Sequence, residues 1–108
     1  MELKHESWRN VRYLLESGVE FGLMTDHPVT LARQLLLQTR WFLRAGLSRQ
    51  QAIELISRCN AQIIGISNRL GTMEKGKWAS FICWNGDPFD LTSYPVAVYG
   101  EGKLLYSE

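Results

Sequence analysis

Ser17-Gly18-Val19-Glu20-Phe21-Gly22-Leu23-Met24-Thr25-Asp26-His27-Pro28 is a short apolar run that stops at an acid, an imidazole and a proline, and its reading decides the fold. Val19, Phe21, Leu23 and Met24 are too few for a helix, Gly18 punctuates the front, and Pro28 cannot donate a ladder hydrogen bond. The run is therefore read as a buried strand, Val19 to Met24, ending in a polar loop. A residue just past the carboxyl end of a buried parallel strand stands at the rim where α/β proteins place their ligands. Asp26 and His27 are thus the candidates for chemistry. Asp-x-Pro before a helix is also an ordinary turn and N-terminal cap, because the carboxylate accepts from free first-turn amides and proline suits the first turn. On this stretch alone both readings stay open.

Upstream, Trp8, Val11, Leu14 and Leu15 form an amphipathic stripe, so residues 6–16 are predicted to be a helix with Gly18 just past its end. Downstream, residues 29–44 are predicted to be a second helix, whose stripe of Leu31, Leu35, Leu36, Leu37, Trp41, Phe42 and Leu43 is broader than a surface helix needs. Arg40 and Arg44 suit the negative pole of its dipole and Gly46 ends it. Ser48 and Gln51 then make a capping box, from which a third helix should run to Gly65 with Ala52, Ile53, Ile56, Cys59, Asn60, Ile63 and Ile64 on its core stripe.

From Ile66 the period changes. Glycines break the chain into short pieces, and Trp78 to Trp84, Pro95 to Tyr99 and Lys103 to Tyr106 read as three strands. Asn85-Gly86-Asp87-Pro88 signals a turn, and Gly100-Glu101-Gly102 a hairpin connection. With 108 residues, 45% hydrophobic and 21% charged, the chain suits one modest core. No segment approaches the roughly 20 apolar residues of a membrane span and none reads as a signal peptide, so a cytoplasmic location and no membrane partner are expected. A net charge of +1, with basic residues interleaved among acids, argues against nucleic acid. Cys59 and Cys83 stand apart without a C-x-x-C or a paired histidine, which suits two buried reduced thiols.

The wording of the second half is recognisable. Gly46-Leu47-Ser48 with Ala52, Asn60-Ala61 with Ile64-Gly65, and Arg69-Leu70-Gly71-Thr72-Met73-Glu74-Lys75-Gly76-Lys77 with Ala79 come in that order. They are followed by Asn85-Gly86-Asp87-Pro88-Phe89-Asp90 and Gly102-Lys103-Leu104-Leu105-Tyr106. Together these resemble the carboxyl-terminal signature of the metal-dependent amidohydrolases, particularly the imidazolonepropionase-like branch, from about Val11 to the end. The resemblance implies an α/β fold: the terminal slice of a (β/α)8 barrel over residues 1–65 (a helix, strand eight, two helices), then a short antiparallel β-sandwich piece of about three strands over residues 66–108. Three positions depart from the family pattern: Met24 where glycine usually precedes Thr-Asp, Ala61 where proline is common after Asn, and Ser80 where Ala-Asp-Leu has its aspartate.

Met24-Thr25-Asp26 stands where the family's Gly-Thr-Asp closes the eighth strand, and the resemblance implies that Asp26 is both a metal ligand and the acceptor of a proton from the attacking water. His27 beside it would face substrate or loop. The implied cofactor is a divalent metal, zinc, and the implied reaction is hydrolysis of C–N bonds in cyclic amides or related small molecules. The family's other ligands belong to earlier strands, and this chain has only His5 and His27. One carboxylate and one imidazole cannot supply three protein ligands and an open position. The isolated chain is therefore expected to hold no metal and to be inactive alone. A barrel strand without neighbours and a partial sandwich also need covering, so the expected partner is a second copy or the missing N-terminal barrel portion. The alternative is a non-enzymatic homo-oligomeric interaction module derived from that fold. A small-molecule carrier built on Trp41, Trp78 and Trp84 is a weaker third reading, because tryptophans at such spacings are usually core.

Overall fold

Ser48 caps a helix as its spacing predicts: its side chain accepts from the Gln51 amide at 3.1 Å while Gln51 Oε1 accepts from the Ser48 amide at 2.9 Å. The computed structural model describes residues 12–25 and 34–108. Residues 12–17 are helical (α1), and α2 spans Leu35–Leu43, α3 Arg49–Leu55 and α4 Arg58–Ile63. Three strands follow, β1 Phe81–Trp84, β2 Pro95–Gly100 and β3 Lys103–Ser107. The single helix expected between Ser48 and Gly65 is thus two short helices, broken at Ile56 and Ser57. The Glu54 carboxylate bridges the break to the Arg58 guanidinium.

The expected strand over Val19 to Met24 is not one. Residues 19–25 run in irregular backbone with no ladder partner among the described residues, because a strand exists only through a neighbour's hydrogen bonds. Phe21 and Leu23 nevertheless point inward. They pack with Phe42 and Cys59 against a small core of Ala45, Leu47 and Leu55. Of the stripe predicted for the third helix only Ala52 is buried; Ile53, Ile56, Cys59 and Asn60 are half-buried, Ile63 and Ile64 are 52% and 68% exposed, and the buried positions beside Ala52 are Leu55 and Ala61, which the stripe did not include. Cys59 and Cys83 are free thiols, but half-buried rather than buried. Trp41, at 53% exposure, is no core residue either, and the Arg44 guanidinium lies over its ring.

The sheet is antiparallel with order β1-β2-β3. Phe81 pairs with Tyr99 and stacks on it at 4.8 Å between ring centroids, while Gly100 pairs with Lys103 across the predicted hairpin. Glu101 and Gly102 both adopt positive φ, 50° and 81°, as the favoured two-residue hairpin turn requires. The Ser80 hydroxyl accepts from the Glu101 amide at 2.9 Å, so this departure from the family pattern still supplies an acceptor at the turn. Among the described residues no second sheet layer covers this one, and all of β3 is exposed. Among the described residues, no helix is long and apolar enough to cross a membrane.

Candidate functional site

Among the described residues, Leu23 is the last one anchored by backbone hydrogen bonds before Thr25, where the described segment ends. Its amide donates to the Leu55 carbonyl at 3.3 Å, and its carbonyl accepts from Asn60 Nδ2 at 2.9 Å. The break between α3 and α4 makes this possible. In an unbroken helix the Leu55 carbonyl would accept from the amide four residues on; here it is left for Leu23. Asn60 comes from α4, so both helices hold one residue of the incoming segment. Gly22 permits the approach. A Cβ there would overlap Asn60 Oδ1 outright and come within 3.1 Å of the Leu55 carbonyl oxygen.

Asp26 and His27, the sequence-derived candidates, lie outside the described residues, as does His5. Among the described residues no three His, Cys, Asp or Glu side chains lie close enough together to hold a metal ion. The described part of the chain does not fit a metal centre by itself. What it does supply is the platform that leads the chain to Asp26.

A second feature is an open groove of about 750 Å³ between α3 and two turns, lined by Arg49, Ile53, Arg58, Met73, Asp87 and Phe89 among others. Its charges are committed internally. Arg49 pairs with Asp87 and lies 3.8 Å from Asp90, and Arg58 pairs with Glu54. The Glu54 carboxyl is held below the usual carboxylate range, chiefly by the hydrogen bond from Arg58 and then by that from Gln50. Phe89, only 2% exposed, anchors the turn, and its amide donates to Asp87 Oδ1 at 2.9 Å. The groove is a seam between helices and sheet half, not a set of free functional groups.

The motif around Gly71 also proves architectural. Lys77 Nζ reaches Glu74 Oε2 at 2.8 Å and Thr72 Oγ1 at 2.6 Å, and the Trp78 amide closes the loop on the Arg69 carbonyl at 2.9 Å. The Arg69 guanidinium lies over the Trp78 ring, 5.4 Å from its centroid. The sequence placed Asn60 on the core stripe of the third helix and marked no role for Gly22. A polar side chain inside an apolar helical stripe was the available signal, since a half-buried amide requires partners.

Helices followed by an antiparallel three-stranded sheet, with a bracketed segment leading to an acid, define a partial α/β piece. The sequence profile of the Amidohydrolase family matches residues 2–105, and the chain belongs to that family. It is similar to an amidohydrolase, tasK, of Hapsidospora irregularis, with 25% identity over 97 residues, covering 90% of this chain and 10% of that protein. It is also similar to the crystal structure of an amidohydrolase from Thermotoga maritima MSB8. There the TM-score is 0.88 and the identity 31%, covering 94% of this chain and 26% of the other. The chain therefore spans about a tenth of the one relative and about a quarter of the other.

Proposed function

We propose that this chain is the carboxyl-terminal part of a metal-dependent amidohydrolase acting on C–N bonds of cyclic amides or related small molecules, and that it is not competent alone. Residues 1–65 are the closing part of a barrel and residues 66–108 the edge of a small sandwich. The observation that supports this most is the retained fold, a TM-score of 0.88 over 94% of this chain, in a chain that spans only 26% of its structural relative. Asp26 is this chain's contribution to the chemistry: a carboxylate able to ligate a divalent ion, zinc, and to hold a proton. His27 follows it in sequence and would face substrate or loop. The remaining ligands would belong to the earlier barrel strands, which these 108 residues do not include.

The test is complementation. Zinc content and hydrolysis of a panel of cyclic amides are measured for this chain, for the protein encoded next to it, and for their mixture. Activity that needs both chains and falls by at least a hundredfold with Asp26→Asn supports the proposal. Full activity of the mixture with Asp26→Asn overturns the assignment of Asp26, and hydrolysis by this chain alone overturns the claim that it is incompetent.

A second reading, a homo-oligomeric interaction module, is favoured by the uncovered sheet, where Leu105 is 68% exposed and Ile82 and Tyr106 about half exposed. A stable dimer in sedimentation, indifferent to Asp26→Ala and to chelators, would establish it in place of the split hydrolase.

A further inference from the structure

Residues 19–25 lie against the break between α3 and α4 without belonging to any sheet among the described residues. Two hydrogen bonds tie this run to other described elements, and Leu23 makes both: its amide to the Leu55 carbonyl at 3.3 Å and its carbonyl to Asn60 Nδ2 at 2.9 Å. Glu20 adds only a minor electrostatic attraction to Arg58. The apolar anchorage is as thin. Phe21 and Leu23 are half-buried against the core cluster, while Val19 and Met24 are 57% and 75% exposed. By contrast α3 carries a capping box and buries Ala52 and Leu55. Segments with few buried contacts and few hydrogen bonds open at the low end of a protein's range of local stabilities. We infer that residues 19–25 are a strap that opens as one unit while α3 and α4 stay folded, and that Asn60 with Gly22 is the latch setting how often it does.

The latch has two halves that work only together. Gly22 leaves the space: a Cβ there would overlap Asn60 Oδ1 outright, so the amide lies across the glycine to reach the carbonyl of the next residue. Asn60 supplies the donor, and removing it leaves a half-buried carbonyl unsatisfied, a change of the size that alters a local opening equilibrium by about tenfold. Opening lifts Phe21 and Leu23 off the core that Cys59 also packs against, so the closed strap withholds that thiol from solvent. It also frees the Leu55 carbonyl and the Asn60 amide together. Strap and latch lie wholly within the described residues and do not depend on any role of Asp26.

The test uses the full chain with Cys83→Ser, which leaves Cys59 as its one thiol. Asn60→Ala removes the donor, Asn60→Asp does so when ionised, Gly22→Ala blocks the approach, and the Asn60→Ala, Gly22→Ala double variant asks whether the two act as one. Amide hydrogen exchange, under conditions where its rate reports the opening equilibrium, is followed at Leu23 and at Ala52 within α3, with thiol labelling of Cys59 in parallel. In the parent, Leu23 is expected to be less protected than Ala52 by about tenfold or more. In each single variant Leu23 exchange and Cys59 labelling should both rise by about tenfold with Ala52 unchanged, and the double variant should be no faster than the faster single. Equal protection of Leu23 and Ala52 in the parent, Leu23 exchange unmoved by the variants, a rise at Ala52 in step with Leu23, or flat Cys59 labelling overturns the strap. Full additivity in the double variant overturns the latch as a single device. Should Gly22→Ala fail to fold, the two Asn60 variants decide.

Discussion

Gly71 adopts a φ of 104°, and a Cβ there would come within 2.7 Å of the Ala61 Cβ and 3.2 Å of the Arg58 Cα. Both the left-handed backbone and the close packing against α4 exclude a side chain. Gly71→Ala is expected to destabilise the chain by about 2–4 kcal/mol, read from urea midpoints at unchanged slope. Ser48 is a milder case. Its capping hydrogen bond was legible as a four-residue pattern, and Ser48→Ala should cost about 1 kcal/mol, while Gln51→Ala, which leaves the serine cap in place, should cost less. Local hydrogen bonds of this kind span three residues and can be read from sequence. The Asn60 bond to Leu23 spans 37 and cannot.

At the scale of elements, the split between α3 and α4 is the main departure from expectation. The apolar period ran unbroken through Ile56 and Ser57, and nothing in residue spacing marks the stop. The break releases the Leu55 carbonyl to an incoming segment, a tertiary event. Across it the Glu54–Arg58 pair is the main charged staple, and it makes stability depend on pH. The folded Glu54 carboxyl titrates below its ordinary value, so the contribution is fully present above the ordinary glutamate range and disappears as the pH falls through the depressed folded value. Glu74, held down chiefly by its hydrogen bond from Lys77, has the same sign. Thermal melts between pH 7 and pH 3 should therefore lose stability on the acid side, and Glu54→Gln should flatten that limb in part, leaving the share due to Glu74. By contrast, the strands were legible because β1, β2 and β3 are bounded by turn residues whose chemistry is local.

At the scale of the molecule, the core cluster of buried residues among those described is Ala45, Leu47 and Leu55, and many large apolar side chains there are exposed. Met24, Leu37, Trp41, Ile64, Leu91 and Leu105 are among the exposed large side chains. So much uncovered apolar surface asks for a covering surface. Replacing Leu105 and Ile82 with lysine is expected to lower self-association or complement binding, measured by sedimentation, while leaving the helical circular dichroism unchanged. Neither side chain belongs to the small core, so the helices have no reason to respond.

By itself the sequence determined the family, the cap at Ser48, the three strands with their hairpin, and Asp26 as the acid worth testing, because these depend on motifs and on residues a few positions apart. Only the tertiary structure decided that the third helix is two, that residues 19–25 have no ladder partner among the described residues, and that the Asn60 side chain and the Leu55 carbonyl hold Leu23 beside Gly22. Those outcomes turn on which distant groups come within hydrogen-bonding reach, and spacing along the chain does not carry that information.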